Sequence, residues 1–224
     1  MFDMPSYAGF ELISLWGRSD HDVFAVGTLG MVLHYDGAEW KPMRTSIRDE
    51  IKDICAAPGS TMLSSVGGNE HDVFAAGTRY LRLSTNGQWT ELEQPKGIGD
   101  GAITYGIAAQ GGTVFFGGSE FIRSNTNPPR LYLPARLVAL TGQRLQMIAG
   151  YDNVTGMNGG GAQPGSAAVF WGFDKDLLII DGSNLRVLRM SSFRSVRGAV
   201  AVGHTIYVAG LARDEDDEVV VRLR

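Results

Sequence analysis

Almost the same seven letters stand twice in this chain, HDVFAVG from His21 and HDVFAAG from His71, a separation of 50 residues. A chain that repeats itself folds by stacking copies of one unit, so the repeat constrains the architecture before any other feature does. Three further segments share the pattern: VFFGG at 114–118, VFWGF at 169–173 and IYVAG at 206–210. With Val23, Val73, Val114, Val169 and Ile206 taken as equivalent, the spacings are 50, 41, 55 and 37, an average of about 46.

Each copy reads as a small antiparallel sheet. In the first, ISLWG (13–17), VFAVG (23–27), MVLHY (31–35) and EWKPM (39–43) are strands, and the Asp36-Gly37 pair is a strong hairpin signal between the last two. The second reads IKDICAA, VFAAG, YLRLS and QWTEL, with PGSTMLSSVGGNEHD as an insertion after its first strand. IKDICAA is read as a strand because the other repeats place one there; a helix capped by Ser46, with Ile47, Ile51 and Ile54 on one face, is the alternative. The third runs ITYGIAA, TVFFGG, FIRSN and RLYLP. The fourth runs LQMIAGY, AAVFWGF, LLIID and LRVLRM, with DNVTGMNGGGAQPGS inserted, and the fifth has only GAVAVG, TIYVAG and EVVVRLR.

Strand-built units at this period point to the blades of a propeller. The expectation is an all-β, five-bladed β-propeller forming a single domain over residues 1–224. Its blades fall at about 10–45, 46–95, 100–135, 140–191 and 195–224, and residues 1–9 supply the missing outer strand of the last blade.

The stretch LWGRSDHDVFAVGTLGMVLHYDGAEWKPM, residues 15–43, resembles a repeat of bacterial β-propeller proteins that carries W-G, D-V-F-A-V-G, H-Y-D-G and W in that order. In the second copy His71 to Gly77 and Trp89 keep the pattern, while Val66 stands where the first has Trp16. The resemblance implies a fold rather than a role, because propellers host many functions. Sialidase-type propellers carry an S-x-D-x-G-x-T-W turn, of which STNGQW at 84–89 is only a shortened form; this argues against a sialidase.

Composition narrows the function classes. With 20 basic and 24 acidic residues, the net charge of −4 gives no broad attraction to a phosphate backbone, so nucleic acid is not expected as a partner. A single cysteine, Cys55, excludes an intrachain disulfide and a thiolate zinc cluster. The first residues lack a basic n-region and an apolar h-region, and the longest obvious apolar run, LLII at 177–180, is far short of the roughly 18 residues of a span. The expectation is therefore no signal peptide, no membrane insertion, and a place in the cytoplasm or in a particle assembled there.

Catalytic sets are not evident. His21 and His71 occupy one position of two copies, and their HD pairs are expected to fix a polar turn, with Asp22 and Asp72 accepting backbone hydrogen bonds. No H-E-x-x-H, G-x-S-x-G or G-K-[ST] segment occurs, so no metal, cofactor or catalytic residue is assigned. The turns between second and third strands are expected to gather on one face. There they present Arg79, Tyr80, Glu120, Lys175 and the acidic run with Asp214, Asp216 and Asp217 as an exposed binding surface.

The leading expectation is a non-enzymatic interaction or structural module that offers this loop face to a protein or glycan partner. The alternatives are a structural component of a virion or other large assembly and a carbohydrate-active, glycoside-cleaving enzyme. The enzyme requires carboxylates on the nearly uncharged first strands.

Overall fold

The turn residues set where strands reverse. Gly37 (φ 93°) and Gly87 (φ 78°) supply the positive φ that residues with a Cβ resist, and each closes a hairpin ahead of its tryptophan, Trp40 or Trp89. The computed structural model describes residues 11–45, 63–69, 71–98, 102–110, 112–120, 122–123, 131–132, 134–142, 144–155, 157–162, 166–172, 175–213 and 217–223. Every regular element among them is a strand. The chain divides into two compact units, Met1–Gln94 and Pro95–Arg224.

The N-terminal unit holds two antiparallel sheets. The first is β1 (Leu12–Ser19), β2 (Asp22–Gly27), β3 (Val32–Tyr35) and β4 (Trp40–Met43), paired in that order. The second is β5 (Leu63–Gly68), β6 (Val73–Gly77), β7 (Tyr80–Leu83) and β8 (Trp89–Glu91). Alternation sends Phe24, Val26 and Val32 to one face of the first sheet. There they pack with Val66, Ala75, Leu81 and Trp89 of the second in one buried cluster. Trp89 meets the Phe24 ring edge-on at 6.3 Å and 85°, and its Nε1 donates to Met43 Sδ at 3.3 Å, so one side chain ties the two sheets together.

The C-terminal unit holds three larger sheets. The first contains β9 (Ala102–Gln110) and β10 (Thr113–Glu120). After the short β11 (Ile122–Arg123) and β12 (Leu131–Tyr132), which pair with each other, it is completed by β13 (Pro134–Thr141) and β14 (Arg144–Thr155), in the order β9-β10-β13-β14. The next is β15 (Met157–Gly161), β16 (Ala168–Gly172), β17 (Asp176–Asp181) and β18 (Asn184–Arg189). The last, β19 (Phe193–Val202), β20 (Thr205–Ala212) and β21 (Glu218–Leu223), has three strands among the described residues, as the repeat count expects. Phe115, Leu137, Met157, Phe170 and Leu178 join the first pair of sheets; Val169, Leu177, Ile179, Phe193, Val196 and Val208 join the second pair.

Four strand assignments made from the sequence are corrected. The first strand of the second sheet is Leu63–Gly68, inside the segment read as an insertion. IKDICAA, its helical alternative and Cys55 lie outside the described residues. In the third sheet the third and fourth strands are Pro134–Thr141 and Arg144–Thr155, so the segment read as opening the fourth copy closes the third. The first strand of the fourth sheet is the glycine-rich Met157–Gly161, again from a presumed insertion. Burial explains both missed strands: Ser64, Ser65 and Val66 are buried, and Gly106 on β9 approaches Gly160 so closely that a Cβ there would lie 2.2 Å from the Gly160 nitrogen. Residues 1–9, expected to complete the last sheet, lie outside the described residues.

Candidate functional site

At one end of the N-terminal unit the first two sheets carry matching charged clusters. Asp22 opens β2, and Phe24, two residues on, pairs with His34 on β3. His34 Nε2 lies 2.7 Å from Asp22 Oδ1, Arg18 Nε donates to Asp22 Oδ2, and the His34 ring stacks on Phe24 at 4.5 Å. In the second sheet Phe74 pairs with Arg82, whose guanidinium donates to Asp72 Oδ1 at 2.7 and 3.1 Å and lies 5.8 Å from the Phe74 ring centre. An aspartate, an aromatic ring and a nitrogen-bearing partner of the aspartate thus recur at equivalent places, with histidine in one sheet and arginine in the other.

The expected backbone bonds to Asp22 and Asp72 are corrected accordingly: these carboxylates take side-chain donors. The turn is held by its neighbours, with Ser19 Oγ accepting from the His21 N–H (3.3 Å) and Asn69 Oδ1 accepting from the His71 (2.9 Å) and Asp72 (2.8 Å) N–H groups. Burial pushes the Asp22 pKa up, but the bonds from Arg18 and His34 and their charges outweigh it and hold the carboxyl below its ordinary value. Asp36 is lowered further by Lys41 and by the N–H groups of Glu39 and Ala38, which close the β3–β4 turn around it. These carboxylates are spent on local cations and turns.

The C-terminal unit shows which connections share an end. Gln110, at the end of β9, donates from Nε2 to the Ser166 carbonyl (3.3 Å) and accepts at Oε1 from the Gly182 N–H (3.1 Å); Ser166 Oγ accepts from the Gly203 N–H (2.8 Å). The β9–β10, β15–β16, β17–β18 and β19–β20 connections therefore meet at one end of the three sheets. Because antiparallel strands alternate in direction, the β10–β13, β16–β17 and β20–β21 connections lie at the other end. Glu120, Lys175 and Asp217 belong to these, while Asp214 and Asp216 lie outside the described residues.

The β10–β13 connection is the most elaborate of the three. The ladder runs to Ser119↔Ala135 and resumes as Ile122↔Tyr132 and Arg123↔Leu131, so the central strand pair continues past its own sheet as a narrow projection. At its base Arg136 Nε donates to Glu120 Oε2 at 2.8 Å, with 13% and 15% of the two side chains exposed. Beside this pair Ser119 Oγ is buried without a hydrogen-bond partner among the described residues. Glu120 is thus a footing for the projection and not the exposed group expected of it. Tyr80 is likewise corrected, being buried at 5% exposure, whereas Arg79 is exposed and paired with Glu91 at 3.2 Å. Arg136 escaped the sequence reading because it stands in the apolar run PARLVAL, and only the ladder places it opposite the end of β10.

Among the described residues no group of three or more His, Cys, Asp or Glu is placed to hold a metal ion, and no helix is long and apolar enough to cross a membrane.

By sequence, the chain matches no protein-family model and no curated protein. By structure it is similar to YCF48 from Cyanidioschyzon merolae, with a TM-score of 0.55 and 12% identity over 88% of this chain and 63% of that one. BamB from Moraxella catarrhalis gives 0.54 and 12% over 94% and 57%, and the Neurospora crassa Pan2 WD40 domain 0.54 and 12% over 89% and 60%. The fold is of the β-propeller class. At these identities the likeness is one of fold alone. The chain spans about 57–63% of the length of these three structures.

Proposed function

We propose that the chain is a non-catalytic, five-bladed β-propeller module that binds a protein partner through the loop end of its C-terminal unit. The observation that carries this reading is the β11–β12 projection, which continues the β10/β13 pair beyond its sheet on a footing formed by Glu120 and Arg136. Ordering a strand pair past the end of its sheet costs conformational entropy, which a binding partner offsets. Lys175 and Asp217 stand on connections at the same end and supply both signs of charge around it. The absence of aspartate and glutamate from all five first strands, β1, β5, β9, β15 and β19, favours binding over glycoside cleavage.

The test replaces residues 121–133 by an Asn-Gly turn joining Glu120 to Pro134. Affinity capture from the native source is then compared between the wild-type and shortened chains, with circular dichroism and thermal unfolding as the measure of an intact fold. The reading expects a protein held by the wild type and lost from a shortened chain that still unfolds cooperatively. Equal capture by both chains removes the projection from the interface.

A further inference from the structure

Among the described residues, the outermost strands of the sheets differ in how their outer edges are protected. An edge strand offers unpaired N–H and C=O groups to any other extended chain, and proteins blunt it with proline, lysine, bulges or brevity. β4 carries Pro42 and Lys41, β8 has only three residues, and β14 meets β13 with register shifts. β18 pairs without a shift but its only charges are Arg186 and Arg189, so two copies laid edge to edge set cations near cations. β21, Glu-Val-Val-Val-Arg-Leu, has none of these protections: it pairs with β20 over Glu218–Leu223 without a shift and contains neither proline nor lysine.

Its charges are also self-complementary. Glu218, Val220 and Arg222 share the exposed face of β21, and Val220 is 71% exposed. An antiparallel copy of the same strand, related by a two-fold axis through Val220, puts Val220 opposite Val220, Glu218 opposite Arg222 and Arg222 opposite Glu218. The other face then sets Val219 against Val221 in both directions. Arg222 has no ion pair among the described residues, and Glu218 has only a largely exposed contact with Arg197 at 3.3 Å, which holds it weakly.

We infer that β21 is a homodimerisation edge, where two copies of the chain join their last sheets into one six-stranded sheet through Val220 and two reciprocal Glu218–Arg222 pairs. The contact uses a different edge from the β11–β12 projection and stands independently of the partner proposed there. It is a small interface, so the dimer forms in a concentration-dependent equilibrium.

Sedimentation equilibrium on the full chain, taken to about 1 mM so that a weak contact registers, tests the inference. The wild type is expected to show a monomer–dimer equilibrium. Arg222→Glu or Glu218→Arg alone weakens it by about tenfold or more, since symmetry turns both cross-strand pairs into like charges at once. An equimolar mixture of the two single variants restores association as a heterodimer, and the double variant E218R/R222E restores the homodimer, which also shows that the single variants fail through charge and not misfolding. A chain shortened at the projection dimerises as the wild type does. A monomer at every concentration, as expected if residues 1–9 or another segment already holds the edge, overturns the inference, and so does a dimer indifferent to both single substitutions.

Discussion

His34 Nε2 lies 2.7 Å from Asp22 Oδ1, across the β2–β3 pair. The bond joins the HD motif to the H-Y-D-G segment 12 residues later, and Asp72 with Arg82 repeats it in the second sheet. What looks in the sequence like two motifs is one aspartate side-chain link fastening the second strand to the third.

Asp22→Asn is expected to cost about 1–2 kcal/mol at neutral pH, the scale of a hydrogen bond to a charged group that keeps some solvent access. The Asp22 carboxyl titrates lower in the folded protein than its ordinary value near 3.9. Its contribution is therefore complete above that value and is lost as the pH falls through the lower folded pKa. Thermal unfolding of wild type and variant should differ at pH 7 and converge in acid. A gap that stays constant down to the acid limit contradicts the assignment.

Trp89 is buried at 3% exposure between the two N-terminal sheets. Trp89→Ala is expected to cost about 3–5 kcal/mol. A double-mutant cycle of Phe24→Leu with Trp89→Leu, each of which removes one of the two rings, isolates the edge-to-face contact and should give a coupling of about 0.5–1.5 kcal/mol by denaturant unfolding. Strict additivity would mean that the rings merely fill space.

Asp176 is buried at 3% exposure, and both its oxygens take bonds from Arg189, at 2.9 and 3.1 Å, while 63% of the Arg189 side chain is exposed. Losing the arginine strands a charge in the interior, so Arg189→Ala should cost about 3 kcal/mol. Replacing both partners, D176N/R189A, leaves no uncompensated carboxylate and should recover part of that loss in urea unfolding.

The repeat made second strands legible because they are apolar and in phase: Phe24, Phe74, Phe115 and Phe170 are all buried. First strands were legible only where they look like strands. The 50-residue offset that carries His21 to His71 also carries Trp16 to Val66 and Gly17 to Gly67, and it pointed to LSSVGG as the counterpart of the ISLWG segment. Composition pointed elsewhere, because glycine and serine usually mark loops. In a crowded interior they mark close approach instead, and that demand comes from the neighbouring sheet, which no local window contains. The site shows the same limit. Glu120 closes β10 and Tyr80 opens β7, yet burial depends on what packs beside them, and Arg136 became visible only through its register with β10.

Close approach of first strands yields the sharpest stability prediction. Gly106 on β9 faces backbone and not a movable side chain: a Cβ would lie 2.2 Å from the Gly160 nitrogen and 2.5 Å from the Gly159 carbonyl carbon. Accommodating it means moving one first strand away from the other, which also loosens Met157 and Phe170 in the core that joins those sheets. Gly106→Ala should therefore cost about 3 kcal/mol, the upper range for overpacking. Gly198 on β19 is the control, because it has no heavy atom within 4 Å of an added Cβ and is not among the positive-φ positions. Gly198→Ala should leave the melting temperature unchanged or raise it slightly by reducing the freedom of the unfolded chain. Differential scanning calorimetry of both variants decides: equal melting temperatures would mean that the β9–β15 contact is slack and that the glycine-rich strand is not required by packing.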